Sequence, residues 1–188
     1  MTTLILAVQH NRDGEHIGAI GFENGKLLTS VPEDMNFFKE TTSKIPGTPV
    51  TMGRKTYQSI QPKYRPFSGR TTIVLTSDKT ATFEDGVIVC HSISDALSRA
   101  KNFGGNEIFV AGGAQIYDQC FEMGLVDKVY LTRFFTDIGP EEGNPLVLLK
   151  NYYRINPESP DGFTIVNRED IQKSTKGTLY QFLTLMKK

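Results

Sequence analysis

The sequence predicts an α/β fold with a mixed, mostly parallel central sheet, helices on its faces and a C-terminal antiparallel hairpin. Three observations predict it. Short apolar runs alternate with helix-like segments through the first part of the chain, as crossover connections between parallel strands require. Two of the joins from strand to helix carry glycine, at Gly53 and at Gly112-Gly113. The tail changes to β-rich segments around a Lys-Gly turn, the pattern of a hairpin.

Taken in order, Leu4–Val8 is short, continuous and apolar, and reads as a buried strand. A long loop is expected from His10 to Thr29, with glycines at 14, 18, 21 and 25. Loops of that length inside a compact domain are usually lids or binding loops. Ser30 followed by Glu33 reads as a capping box that opens a helix running to Thr42. Strands follow at Pro49–Met52, Thr71–Thr76, Val87–Cys90, Glu107–Ala111 and Lys128–Arg133, with helices at Lys55–Ile60, Ile93–Asn102 and Ala114–Phe121. Phe163–Arg168 and Thr178–Met186 form the hairpin.

The 188 residues fit one domain, 1–188. With 38% hydrophobic residues the chain can fill a core, and 21 basic against 21 acidic side chains leave no net charge. No basic stripe offers a surface for nucleic acid or an anionic membrane. The apolar run after Met1 lacks a preceding basic region and a cleavage site, and no stretch approaches the roughly 18–20 apolar residues of a membrane span. A cytoplasmic monomer is the expectation. Cys90 and Cys120 leave one disulfide open but make neither a disulfide framework nor a zinc site, and His10, His16 and His91 lack metal-ligand spacing. No metal is expected.

The strand-to-helix turn Met52-Gly53-Arg54-Lys55-Thr56 offers free backbone N–H groups, two cations and a hydroxyl, which suits a phosphate. It equally suits a plain turn with solvated basic residues. The turn Ala111-Gly112-Gly113-Ala114-Gln115-Ile116 lets the backbone approach a ligand closely, or is simply tight. Neither is a dinucleotide or Walker fingerprint, but two such turns in one sheet suit a ligand with spaced phosphates. Asp34 shares a helix face with Phe37 and Phe38, so burial should make it harder to ionise than a free carboxylate. The competing account is an acid favoured by the helix dipole. One acid against an aromatic wall suits a flat, nitrogen-rich ring and does not suit glycoside hydrolysis, which normally uses two.

Val31-Pro32-Glu33-Asp34-Met35-Asn36-Phe37-Phe38-Lys39, Met52-Gly53-Arg54-Lys55-Thr56-Tyr57-Gln58-Ser59-Ile60, Gly69-Arg70 with Thr72–Ser77, Val110–Tyr117 and Val129–Thr132 together resemble dihydrofolate reductase, in the family's order and over nearly the whole chain. The resemblance implies reduction of 7,8-dihydrofolate to tetrahydrofolate by NADPH, with hydride delivered to pterin C6 and a proton to N5. It implies that Asp34 holds the pterin and promotes protonation, with Thr132 orienting it. Ile5, Leu28, Met35, Phe38 and Ile60 would line the substrate pocket, and Arg70 would grip the α-carboxylate of the glutamate tail. Gly53, Arg54, Lys55, Thr56, Thr76 and Ser77 would hold the cofactor's phosphates and adenosine end, Arg54 taking the 2′-phosphate. Ala7, Ile20, Asn24 and Gly25 would lie along the nicotinamide. Gly112, Gly113, Ala114, Gln115 and Ile116 would complete the cofactor site, the two glycines joined by a cis peptide. Antifolates would be inhibitors.

The chain departs from the family at several points. It has no Trp, where the family's lid usually carries one near Leu28 or Thr29, which bears on proton delivery and antifolate affinity. Gln115 stands where some members have Arg, Gly143-Asn144-Pro145 replaces a common Gly-Asp-Thr, and Pro62-Lys63-Tyr64-Arg65 adds residues before Gly69. Two other readings compete. A pyrimidine reductase of the same fold would lack Asp34 and Arg70, and a catalytically silent binding module would bind NADPH without turnover.

Overall fold

The computed structural model describes residues 1–11, 14–158 and 160–188. The strands are β1 (Thr2–Gln9), β2 (Ala19–Phe22), β3 (Pro49–Gly53), β4 (Thr71–Leu75), β5 (Ile88–Cys90), β6 (Ile108–Val110), β7 (Lys128–Phe134), β8 (Leu146–Leu148), β9 (Phe163–Arg168), β10 (Gln172–Lys173) and β11 (Leu179–Lys187). The helices are α1 (Pro32–Thr42), α2 (Arg54–Ser59), α3 (Ile93–Ala100), α4 (Ala114–Glu122) and α5 (Tyr152–Ile155).

The main sheet runs β10-β11-β7-β1-β6-β3-β4-β5, with β9 also on β11. Pairs from β7 across to β5 are parallel, and those made by β11 are antiparallel. This is the mixed sheet the sequence predicts. The two faces follow from strand alternation. Leu4, Leu6 and Val8 of β1 point into the larger core with α3 and α4. Ile5 points the other way, into a core of Val50, Met52, Tyr57, Val74 and Phe109 on which Phe37, Phe38 and Ile60 pack.

The structure corrects the sequence reading in three places. The stretch from His10 to Thr29 is not a plain loop, because β2 lies within it and pairs antiparallel with β8, Phe22 opposite Leu146; Arg12 and Asp13 of that stretch lie outside the described residues. The hairpin's outer strand is broken. β9 pairs with the C-terminal half of β11, and β10 pairs with its start, Gln172 opposite Tyr180. The capping box does not form. Val31 is the N-cap without a side-chain bond, and Pro32 takes the first turn, where its missing N–H and fixed φ fit. Glu33 accepts instead from the Thr175 backbone N–H at 2.8 Å, and Lys176 donates to Ser30 at 3.3 Å. Both ties fasten the start of α1 to the turn before β11.

Candidate active site

The carboxyl ends of β1, β3, β4 and β6 meet at one edge of the sheet, with α1 lying across β7 beside them. In the β1–β7 register Ala7 stands opposite Thr132 and Ile5 opposite Tyr130, and Phe182 of β11 faces Thr132 from the other side. Phe37 fixes α1 on this surface, stacked on Phe182 at 4.4 Å and edge-on to Tyr130 at 5.7 Å. That packing delivers Asp34 to β7. The Thr132 hydroxyl donates to Asp34 Oδ1 at 2.6 Å.

Asp34 and its neighbour Glu33 share the first turn of α1, so the helix dipole alone would favour ionisation of both. They diverge. Glu33 accepts a backbone hydrogen bond from Thr175 and sits below the ordinary carboxylate range. Asp34 is pushed up to about 6, because burial costs the charged form more than the Thr132 hydroxyl returns. Burial therefore wins over the dipole at Asp34.

Around it stand the apolar groups expected of a pocket wall: Ile5 is buried, with Phe38 and Ile60 packed on the same cluster. Phe67 joins them, its ring 5.5 Å from that of Phe38. Arg70 lies over Phe67 at 4.3 Å, and its Nη1 donates to the fully buried Thr42 hydroxyl at 2.8 Å. Burial depresses the Arg70 pKa, and among the described residues no carboxylate forms an ion pair with it. A half-buried guanidinium in that condition favours an incoming carboxylate. Leu28 packs with Ala19, Phe22, Ile138 and Leu146 in a separate cluster under the lid, and Met35 stands half exposed on α1.

The two glycine turns lie side by side. The Gly53 N–H donates to Gly112 O at 2.7 Å, the Gly112–Gly113 peptide is cis, and Gly112 has φ +107°. A side chain on Gly113 would place its Cβ 3.1 Å from Thr56 Oγ1, a tighter approach than side chains usually make. Ile116 packs beside Gly53, Ala114 is buried and Gln115 exposed. Thr76 is buried at the end of β4, with Ser77 exposed beyond it. Asn24, Lys55 and Ser59 share a cavity of about 270 Å³ with Glu23 and Gln58. The turn after β2 thus faces α2. Ala7 packs against the cluster of Val31, Phe134 and Tyr180, and Ile20 against the larger core.

Three further residues at the site are given no role in the sequence reading. Tyr117 donates to Ile5 O at 2.7 Å, and burial with the Asp34 charge drives its pKa up. Thr42 holds Arg70. Asp78 accepts from Arg54 at 2.9 Å. Tyr117 follows the glycine pair by helix spacing, which was a usable signal. Thr42 and Asp78 act through tertiary contacts that no local pattern records.

Among the described residues no group of three or more His, Cys, Asp or Glu could hold a metal, and no helix is long and apolar enough to cross a membrane. Cys90 and Cys120 are both free and buried.

A mostly parallel α/β sheet whose strand ends carry two adjacent glycine turns, with the Asp34 carboxyl beside them, is the class of architecture that binds ligands at its carboxyl edge. A model of the dihydrofolate reductase family matches residues 1–184, and the chain belongs to that family. It is 37% identical over 133 residues to the dihydrofolate reductase of Bacillus subtilis, covering 71% of this chain and 68% of that one. A putative dihydrofolate reductase of Caenorhabditis elegans is 37% identical over 126 residues, 63% of this chain and 66% of that one. A bifunctional dihydrofolate reductase-thymidylate synthase of Glycine max is 38% identical over 127 residues, 62% of this chain. The matched part spans 24% of that soybean protein's length.

Proposed function

We propose that this chain is a single catalytic domain that reduces 7,8-dihydrofolate to 5,6,7,8-tetrahydrofolate with NADPH. The observation that carries the reading is Asp34, whose carboxyl burial pushes up to about 6, beside the Thr132 hydroxyl and on the sheet face where Ile5, Phe38 and Ile60 pack together.

The residues present fit the cofactor: a Cβ on Gly113 would crowd Thr56 Oγ1 at 3.1 Å, and Gly53, whose N–H donates to Gly112 O, leads directly into Arg54, Lys55 and Thr56. Gly53, Arg54, Lys55, Thr56, Thr76, Ser77 and residues 112–116 would hold its phosphates and adenosine end, with Ala7, Ile20, Asn24 and Gly25 along the nicotinamide. When bound, NADPH supplies the hydride that pterin C6 receives.

The chain supplies the rest. Asp34 pairs with the 2-amino group and N3 of the pterin, as one carboxylate with two oxygens can. With its pKa near neutrality it also keeps a proton available to the ring, where N5 must gain one. Thr132 holds the carboxylate plane through its single hydrogen bond. Arg70, fixed by Thr42 and Phe67, receives the α-carboxylate of the glutamate tail. Apolar walls exclude water from the ring, which strengthens each polar contact.

NADPH oxidation with dihydrofolate as substrate tests the reading. Turnover that needs both is expected. Binding of NADPH without turnover would sink it and leave the silent module.

A further inference from the structure

Arg54 does not stand ready for a phosphate. Its Nη1 donates to Asp78 Oδ2 at 2.9 Å, and the two side chains are 40% and 41% exposed, so a ligand can reach either. Asp78 does not depend on Arg54 for its place. Its Oδ1 accepts from the Thr80 N–H at 2.9 Å and the Thr80 hydroxyl at 2.7 Å, and its own N–H donates to Thr76 Oγ1 at 3.2 Å. The Thr80 bonds are also the main reason that its carboxyl ionises more readily than usual. A fixed anion therefore occupies the arginine that the proposed cofactor site assigns to the 2′-phosphate.

We propose that Asp78 is a cofactor-selectivity residue that competes with the 2′-phosphate for Arg54 and so narrows the preference for NADPH over NADH. The inference rests on the cofactor site of the preceding section. A carboxylate can accept a hydrogen bond from a free ribose 2′-hydroxyl, the contact by which an acid at a strand end selects the unphosphorylated dinucleotide. It repels a 2′-phosphate dianion. The same side chain thus acts in opposite directions on the two cofactors.

Equilibrium titration of the intact protein with adenosine 2′,5′-bisphosphate and with 5′-AMP, without substrate, tests this in wild type, Asp78→Asn, Arg54→Gln and the double variant. Asn keeps the bond from the Thr80 N–H, while its amide nitrogen in place of Oδ2 removes both the charge and the acceptor that Arg54 uses. Asp78→Asn is expected to bind the bisphosphate about tenfold more tightly, a change of about 1.4 kcal/mol, and 5′-AMP no more tightly than wild type does. In the Arg54→Gln background the gain should fall below about threefold. Equal tightening of both ligands, or no change in either, overturns the proposal while leaving the cofactor site standing. Failure of wild type and Asp78→Asn to bind either nucleotide overturns the cofactor site itself, and the proposal with it.

Discussion

Replacing Asp34 with Asn should make the protein more stable above pH 6 while removing its turnover. The Asp34 carboxyl is raised from 3.8 to about 6, chiefly by burial. A shift of about two units corresponds to about 3 kcal/mol. The sign follows from which state keeps the proton. The folded pKa lies above the unfolded one, so below about pH 4 both states are protonated and the group costs nothing. Between about 4 and 6 the unfolded chain ionises first and stability falls with rising pH. Above 6 the folded protein carries the whole penalty. Asn does not ionise, and its amide oxygen still accepts from Thr132. Solvent near the carboxyl and the dipole of α1 reduce the figure, so about 1–3 kcal/mol is expected at pH 8 and at most about 0.5 kcal/mol at pH 4. For a domain of this size that is a rise in melting temperature of roughly 3–9 °C at pH 8. Thermal unfolding of both proteins at pH 4, 6 and 8, with NADPH oxidation on the same samples, reads it. An equal gap at pH 4 and pH 8, or a wild type that melts higher at pH 8, would refute the claim that burial sets this carboxyl's proton affinity.

Other consequences follow from the same geometry. Thr132→Val removes the one hydrogen bond that favours the ionised form, so the basic limb of the kcat/KM pH profile should move up by about one unit; an unmoved limb would mean that Thr132 does not bond Asp34 in the working enzyme. Thr42→Val deletes the hydroxyl that holds Arg70 and should raise KM for dihydrofolate about tenfold, as one lost hydrogen bond to a charged group does. The same variant should leave a reduced pterin without a glutamate tail unaffected, and Thr42→Ser should restore the wild-type value. Gly113→Ala should weaken NADPH binding by at least tenfold in a fluorescence titration, because the methyl meets Thr56 Oγ1. Binding as tight as wild type would show that the ligand does not enter the cradle.

The sheet was legible because its signals are local. Ile73–Leu75 and Ile108–Val110 are apolar runs that burial on both faces of a parallel sheet demands, and each appears in a strand. Asp34 was legible for the same reason: its spacing to Phe37 and Phe38 follows from helix geometry. What escaped depends on distant partners. β2 reads as loop because its four residues have no pattern until β8 pairs with them. Ser30 and Glu33 satisfy the capping-box spacing, but Thr175 and Lys176, more than 140 residues away, take both side chains. The pairing of Arg54 with Asp78 crosses 24 positions and leaves no trace in either motif.

The missing tryptophan can be weighed on the same basis. Leu28 lies buried among Ala19, Phe22, Ile138 and Leu146, so the stretch after β2 is held by apolar packing beside the β2–β8 pairing. The acid and its orienting hydroxyl are built elsewhere, on α1 and β7, held by the Phe37–Phe182 stack. A change in the stretch after β2 would, on the proposed chemistry, alter how water reaches the ring without moving the group that titrates. On the proposed chemistry, loss of the tryptophan should tell on the rate of protonation and on the affinity of inhibitors that touch the lid. The position of the pH limb should stay with the burial of Asp34.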